Sequence, residues 1–280
     1  MPIWLDDFLF TYETLIHALG VHGLLALSMY CVMAVGQLSL GQAAFMGIGA
    51  YTGALLTLNL GLPFWLVLPL SALAPALVAL VIGGPTLRLS GVYLAISTIA
   101  LGEVLRVLYI NAEGLTGGAL GLSGIPRKAD LWLIYLLLLL GVVGFWMVGR
   151  SKIGRAMEAM REDEAVAGVM GVNLPRYKLG ALIVSSMLAG LAGCLTAHSN
   201  SFIGPNEFGF EMAVTILSFA LLGGIGTPIA PVIGAMILTA LPEVLRPLQD
   251  FRLVINGLII VVAVLFLPRG VIPFRLRRAP

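Results

Sequence analysis

TLIHALGVHGLLALSMYCVMAVGQLSLGQAAFMGIGAYTGALLTLNLGLPFWLVLPLSALAPALVALVIGGPTL, residues 14–87, runs for 74 positions without Asp, Glu, Lys or Arg. A helix needs about 20 apolar residues to cross the hydrocarbon layer of a membrane, so this stretch alone holds three spans and their turns. Charge-free stretches recur at 131–149 and 212–242. Of the 280 residues 59% are hydrophobic and 11% charged, with a mean hydropathy of +1.03, whereas an average soluble chain is about 25% charged. A soluble globular protein is excluded. The net charge of +2 comes from side chains confined to a few loops, and nucleic acid is not an expected partner.

Apolar runs between turn and charge signals place spans at 15–35, 42–60, 64–82, 91–110, 131–149, 179–199, 211–224, 228–245 and 253–268. The expectation is an all-α, polytopic transmembrane helix bundle of about 9 spans (8 to 10), one domain over residues 1–280. Cytoplasmic loops are enriched in Lys and Arg. The segment 150–178, Arg88 and the basic tail 269–280 together hold 11 of the 16 basic residues. Arg127, Lys128, Arg246 and Arg252 fall on the other side, with Asp6, Asp7, Glu13, Glu113, Asp130, Glu207 and Asp250. This bias predicts N-terminus out and C-terminus in. The start, MPIWLDDFLFTYE, lacks the positive region of a secretory signal and is expected to remain in the mature protein. Between 179 and 267 an even number of crossings is needed, and four fit only if some are short. LLGGIGTPIAP (221–231) breaks any continuous helix there, since Gly costs about 1 kcal/mol and Pro about 3 in a helix interior. A plain turn and a discontinuous helix at membrane depth both fit.

Several features inside the apolar segments go beyond apolarity. The 34 glycines are spread through the spans, as helix packing in lipid requires. Around GQLSLGQAAF (36–45), Ala43 and Gly47, then Gly49 and Gly53, stand at small-xxx-small spacing. Gln37, Ser39, Gln42 and Tyr51 need partners in a membrane, either another helix or water in a pathway. The glycines miss the dinucleotide-binding spacing. Glu103 and Arg106, at i and i+3, share a helical face; they read as a structural ion pair or as a polar wall near a substrate route. His17, His22 and His198 fall near the expected outer ends of spans, as interfacial histidines do. Cys31 and Cys194 read as lone buried thiols rather than a disulfide or a metal pair. No metal site and no catalytic constellation is expected.

The segment GRSKIGRAMEAMREDEAVAGVMGVNLPRYK (149–178) reads as a helix over 153–170 followed by a turn at Gly171 and Pro175. Ile153, Met157, Met160 and Ala167 form an apolar stripe. Such a helix can rest on a membrane or dock in a protein groove, where adaptable Met residues are favoured.

The chain resembles the integral-membrane permease subunits of ABC importers, specifically the branched-chain amino-acid family and its LivM-like branch. The resemblance is carried by GQLSLGQAAF (36–45) with GAY (49–51), RLSGVYLA (88–95), TGGALGLSGIP (116–126), GRAMEAMRE (154–162) and LGGIGT (222–227), in that order. It implies that residues 150–178 are a cytoplasmic coupling loop seated in a groove of an ATPase, with Gly154, Arg155, Met157, Glu158, Met160, Arg161, Glu164, Ala165, Gly168 and Gly171 at the contact. The signature here reads Glu-Ala-Val at 164–166 rather than a full Glu-Ala-Ala, and the long N-terminal extension of some relatives is not present in this sequence. Implied partners are a second homologous permease as a heterodimer, two cytoplasmic ATPase subunits that hold ATP and Mg2+, and an external solute-binding protein. The implied location is the bacterial inner membrane.

This chain does not carry the ATPase chemistry itself. The phosphate loop places Gly before its Lys, whereas Lys128, Lys152 and Lys178 follow Arg, Ser and Tyr. Candidate pathway residues are Gln37, Ser39, Gln42, Tyr51, Glu103 and Arg106. Branched-chain amino acids are the first expected substrate, on the few charges along the spans; urea, short amides and aromatic acids are alternatives. The competing class is an ion-coupled secondary transporter or channel, for which no second intramembrane acid is evident.

Overall fold

The computed structural model describes residues 3–86, 89 and 91–244. Helices account for nearly all of it: α1 (Ile3–Met33), α2 (Gln42–Leu60), α3 (Phe64–Thr86), α4 (Val92–Asn111), the single turn α5 (Glu113–Thr116), α6 (Leu131–Arg150), α7 (Lys152–Glu162), α8 (Glu164–Val169), α9 (Leu174–Asn200), α10 (Phe210–Gly223) and α11 (Ile229–Val244). The departure from all-α is a two-residue antiparallel pair, β1 (Leu122–Ser123) on β2 (Phe202–Ile203), with Leu122 opposite Ile203.

Among the described residues six helices are long and apolar enough to cross a membrane: Tyr12–Met33, Gln42–Leu60, Phe64–Thr86, Val92–Asn111, Leu131–Arg150 and Leu174–Asn200. They match the first six expected spans. The expected spans at 211–224 and 228–245 are the helices α10 and α11, of 14 and 16 residues. At 1.5 Å per residue α10 extends about 21 Å, less than a full hydrocarbon crossing, and α11 is described as far as Val244. The expected span at 253–268, the basic tail 269–280, Arg88, Arg246, Asp250 and Arg252 lie outside the described residues.

The helices are organised around α9, which packs against α1, α2 and α3. Lipid tails are as apolar as leucine, so helix association in a bilayer depends on close van der Waals packing rather than on the hydrophobic effect. Small residues supply that closeness. A Cβ on Gly193 would overlap the Met46 carbonyl oxygen of α2, one on Gly49 would overlap the Gly190 backbone of α9, and one on Gly190 would collide with Pro75 of α3. Polar ties follow the same seam: Gln42 Nε2 donates to Ser185 Oγ at 3.3 Å, and Thr57 and His198 meet at 2.9 Å. The order of these contacts makes α2 parallel to α9. Helix α1 runs antiparallel to α9, its Cys31 thiol donating to the Ala181 carbonyl at 3.4 Å. Helix α6 lies parallel to α1, with Ile134 against Gly20 and Leu138 against Gly23.

These directions sort the loops onto two faces. One face holds the C-terminal ends of α1 and α6, all of α7 and α8, and the start of α9. The opposite face holds the segment around β1, the end of α9 and the short 3-10 helix Pro205–Phe208. Residues 150–172 and residues 112–130 therefore sit on opposite sides, the relative arrangement that the charge bias predicts.

Gly193→Ala is expected to lower the melting temperature and the yield of folded protein, because its new methyl meets backbone rather than a movable side chain. Gly180→Ala, with nothing within 4 Å of its Cβ position, is expected to be neutral or to gain up to about 1 kcal/mol from helix propensity. A thermal-shift comparison of the two in detergent checks the pair.

Candidate functional site

The segment 150–178 folds as two helices rather than one, and Asp163 is the reason. Its backbone is extended (φ −153°, ψ 110°), and its carboxylate accepts hydrogen bonds from the Ala165 and Val166 amides at 2.9 and 3.0 Å. That is an N-cap, and it ends α7 and starts α8. Ser151 caps α7 in the same manner. The break changes which side chains face outward. Met160 and Ala167 are buried in a small cluster with Cys31, Val35 and Ala181, against which Met157 also packs. Much of the expected apolar stripe therefore turns inward to hold the segment on the bundle, while Ile153 stays exposed.

The outward face belongs instead to α8 and the turn after it. Val169 is 90% exposed and Met170 79%, beside exposed Val166, Ala165 and Gly168. Glu164 is ion-paired with the buried Lys178 of α9. Gly171 takes a left-handed φ of +88° and closes the turn, and the Asn173 side chain caps α9. Arg155 and Glu158 are exposed along α7. Gly154 is held so close to Val148 and Gly149 that a Cβ would overlap their backbone. Sequence reading missed Val166, Val169 and Met170; the signal available was an Asp in mid-run, a residue that favours caps over helix interiors.

Arg161 reaches away from this face. Its Nη1 donates to the Ile225 carbonyl at 3.1 Å, in the turn between α10 and α11. The break at 221–231 is thus a plain turn on the same face as α7. The two helices close tightly above it, because Gly223 lies on Ala230 and Gly234 on Phe219 with no room for a Cβ. At its other end α10 is held by the intramembrane pair. Glu103 Oε1 accepts from the Phe210 amide at 3.2 Å, while Arg106 donates to Glu103 Oε2 at 2.8 Å and to Asn206 Oδ1 at 3.2 Å. Glu103 is thereby a negative charge at a helix N-terminus, the favourable end of the dipole, and the pair ties α4 to α10.

A cavity of about 420 Å³ opens on the opposite face between α1, α9, the 3-10 helix and α10. Its polar groups include those of Thr14, His17, Thr196, Ser199, Glu207 and Glu211. Beside it a second cavity of about 550 Å³ shares Thr14, His17, Ser199 and Asn200 and adds Arg127 and Asp130. Partial desolvation at the cavity wall raises the Glu207 carboxyl above the usual carboxylate range, while the residue stays exposed to solvent.

The sequence-predicted pathway residues lie elsewhere. Gln37, Ser39, Gln42 and Tyr51 are buried between helices and line neither cavity. Ser39 Oγ accepts from the Gly41 amide, Gln42 bonds Ser185, and Tyr51 stacks on Tyr109 at 4.3 Å between ring centroids. Gln37 Oε1 and the Tyr51 and Tyr109 hydroxyls have no partner among the described residues.

Residues 11–266 match the family model described as branched-chain amino acid transport system / permease component. The chain belongs to this family. It is 34% identical over 272 residues to the high-affinity branched-chain amino acid transport system permease protein LivM of Salmonella typhimurium strain LT2, covering 85% of this chain and 64% of that relative. Among more distant members, it is 29% identical to the autoinducer 2 import system permease protein LsrC of Enterobacter sp. strain 638, over 79% of this chain and 67% of that one. It is 26% identical to the permease protein LivH of Salmonella typhimurium, over 58% of this chain and 53% of the relative. No solved structure matches. The family is one of transport permeases, and the apolar helices make this member a multi-pass membrane protein.

Asp163→Ala is expected to cost the α8 cap about 1 kcal/mol and to speed hydrogen exchange at the Ala165 and Val166 amides, with the α9 amides unchanged. Asp163→Asn, which keeps an acceptor, is expected to restore protection.

Proposed function

We propose that this chain is the membrane-spanning permease subunit of an ATP-driven importer for branched-chain or related amino acids. It lies in the bacterial inner membrane with about nine spans, N-terminus out and C-terminus in. Its partners are a second, homologous permease, two cytoplasmic ATPase subunits carrying ATP and Mg2+, and an external solute-binding protein. The observation that carries this reading is the α8 tip. Val166, Val169 and Met170 leave a water-facing apolar surface on the most basic face of a family member, and exposed apolar surface of this kind marks a docking site. The proposed contact surface comprises Gly154, Arg155, Met157, Glu158, Met160, Arg161, Glu164, Ala165, Gly168 and Gly171 together with Val166, Val169 and Met170. Met157 and Met160 serve it from behind, by holding α7 on the bundle.

Motion at the docking face has a physical route to the other side. Arg161 grips the turn of the α10–α11 hairpin, and α10 runs from that turn to the wall of the outer cavity, where Glu211 and Thr215 line it. Gln37, Ser39 and Gln42 lie toward the docking-face end of the bundle and Tyr51 further along α2 against Tyr109 and Phe208, and Glu103 with Arg106 sets the height of α10. The substrate meets the outer cavity first, and its volume is within the range of about 300–1,000 Å³ usual for small-molecule sites. An amino acid brings an ammonium group, for which the carboxylates of Glu207 and Glu211 are the matching charges.

Because Glu164 is engaged by Lys178, the cleanest tests of docking are Ala165→Arg and Val169→Glu, which touch no core contact. Each is expected to reduce uptake by about ten-fold or more in proteoliposomes carrying the whole transporter, with ATP hydrolysis no longer stimulated by the binding protein. Wild-type coupled uptake in both variants overturns the assignment. Uptake of labelled leucine, with urea, an aromatic acid and ribose as comparators, tests the substrate class.

The raised pKa of Glu207 gives a pH signature. A carboxyl with a raised pKa takes its proton at a higher pH on acidification, so uptake that needs the carboxylate falls at a pH above that of an ordinary exposed glutamate. Glu207→Gln is expected to lower uptake at neutral pH and to remove that acid limb.

A further inference from the structure

A third cavity, a groove of about 470 Å³, lies on the face that carries α7 and α8. It runs between the C-terminal ends of α1 and α6, the inner side of α7 and the 226–228 turn. Three guanidinium groups line it, from Arg150, Arg155 and Arg161, against the single carboxylate of Glu158, with Tyr30 and Trp146 at its walls. Helix α8 takes no part in it. Arg161 is committed to the Ile225 carbonyl and to Glu162. Arg150 and Arg155 have no carboxylate within ion-pair distance among the described residues. The Arg150 guanidinium lies 3.5 Å from the centroid of the Trp146 ring, and Arg155 donates to the Arg150 carbonyl at 3.5 Å. Two cations are thus positioned on one side of a concavity in excess over its one carboxylate, Glu158, and neither is ion-paired among the described residues.

What adjoins the groove identifies its occupant. Leu139, Val143, Trp146 and Arg150 are spaced 4, 3 and 4 apart on α6 and so lie on one helical stripe. Leu139, Val143 and Trp146 are all exposed, as are Leu136, Leu140 and Met147 beside them. An apolar stripe that rises about 10 Å from Leu139 to Trp146 ends on an aromatic ring of the kind that favours the membrane interface, and then on guanidinium groups suited to phosphate oxygens. A soluble phosphorylated molecule would use the second half of this surface and not the first.

We propose that the groove binds the phosphate of an anionic phospholipid, with the acyl chains lying along the Leu139, Val143 and Trp146 stripe of α6. The negative surface of the cytoplasmic leaflet supplies such lipids. The bound lipid fills the angle between α6, the end of α1 and α7, and so braces the docking segment against the membrane from the side that α8 leaves free. The proposal rests on α6 crossing a bilayer with this face cytoplasmic, as in the proposed topology, and not on what the protein transports.

The test is native mass spectrometry of the full-length chain released from detergent, titrated with phosphatidylglycerol and, separately, with phosphatidylcholine. Wild type is expected to retain phosphatidylglycerol in preference to phosphatidylcholine. Arg150→Gln is expected to lose about five-fold in that retention, and Lys152→Gln, an exposed cation two residues away that does not line the groove, to lose none. Trp146→Leu, which keeps every guanidinium group, is expected to weaken retention as well and stands in for Arg150→Gln if that variant does not fold. Equal retention of the two lipids, an equal drop in Lys152→Gln, or undiminished retention in folded Arg150→Gln and Trp146→Leu overturns the proposal. Displacement of the lipid by inorganic phosphate at matched concentration assigns the site to a free anion and overturns it too.

Discussion

Backbone contact between α9 and its neighbours is the constraint on which the rest of this structure depends. Gly193 against Met46, Gly49 against Gly190 and Gly190 against Pro75 bring three helices to distances that a methyl group would forbid. Once α9 is fixed between α1, α2 and α3, its two ends fix everything else. Its start, through the Asn173 cap and the Lys178–Glu164 ion pair, sets where the docking segment sits. Its end, through Thr196, Ser199 and Asn200, forms a wall of the outer cavities.

Polar groups in the apolar interior are handled in two ways. Most buried threonines and serines bond a carbonyl one turn back in their own helix, as Ser28, Ser71 and Ser218 do, which needs no partner helix. The others bridge elements: Gln42 to Ser185, His22 to Thr239 at 2.8 Å, and Glu103 to the Phe210 amide. An unpaired polar group in lipid is costly, so these bridges specify which helices meet and at what height. They explain why polar residues within the spans are not by themselves a map of a pathway. Gln37, Ser39, Gln42 and Tyr51 are as polar as the cavity-lining residues, yet they sit in the packing.

Of the candidate site, the location of the docking segment was legible and its working surface was not. Charge and composition mark 150–178 as a solvent-facing piece in an apolar chain, and helix periodicity extracts the stripe of Ile153, Met157, Met160 and Ala167. Periodicity assumes one unbroken helix. The Asp163 cap breaks that helix, so the phase on one side of it does not carry to the other, and the face that reaches solvent is Val166, Val169 and Met170 instead. The outer cavity was illegible for another reason: its lining comes from α1, α9, the 3-10 helix and α10, distant in sequence, and no local pattern announces that they converge.

Sequence by itself determined that the chain is a bundle of membrane helices, where the six long ones run, that 221–231 interrupts a helix, and on which side relative to 112–130 the basic segment lies. These follow from quantities that are local: the length of an apolar run, the cost of Gly and Pro in a helix, the placement of charge. Tertiary structure alone decided that α10 and α11 pair across a turn under Arg161, that Glu103 and Arg106 hold the start of α10, and which apolar side chains are left exposed. Those outcomes depend on which backbones touch. That is settled by small residues and single hydrogen bonds between positions as far as 217 residues apart, and no run of neighbouring residues encodes it.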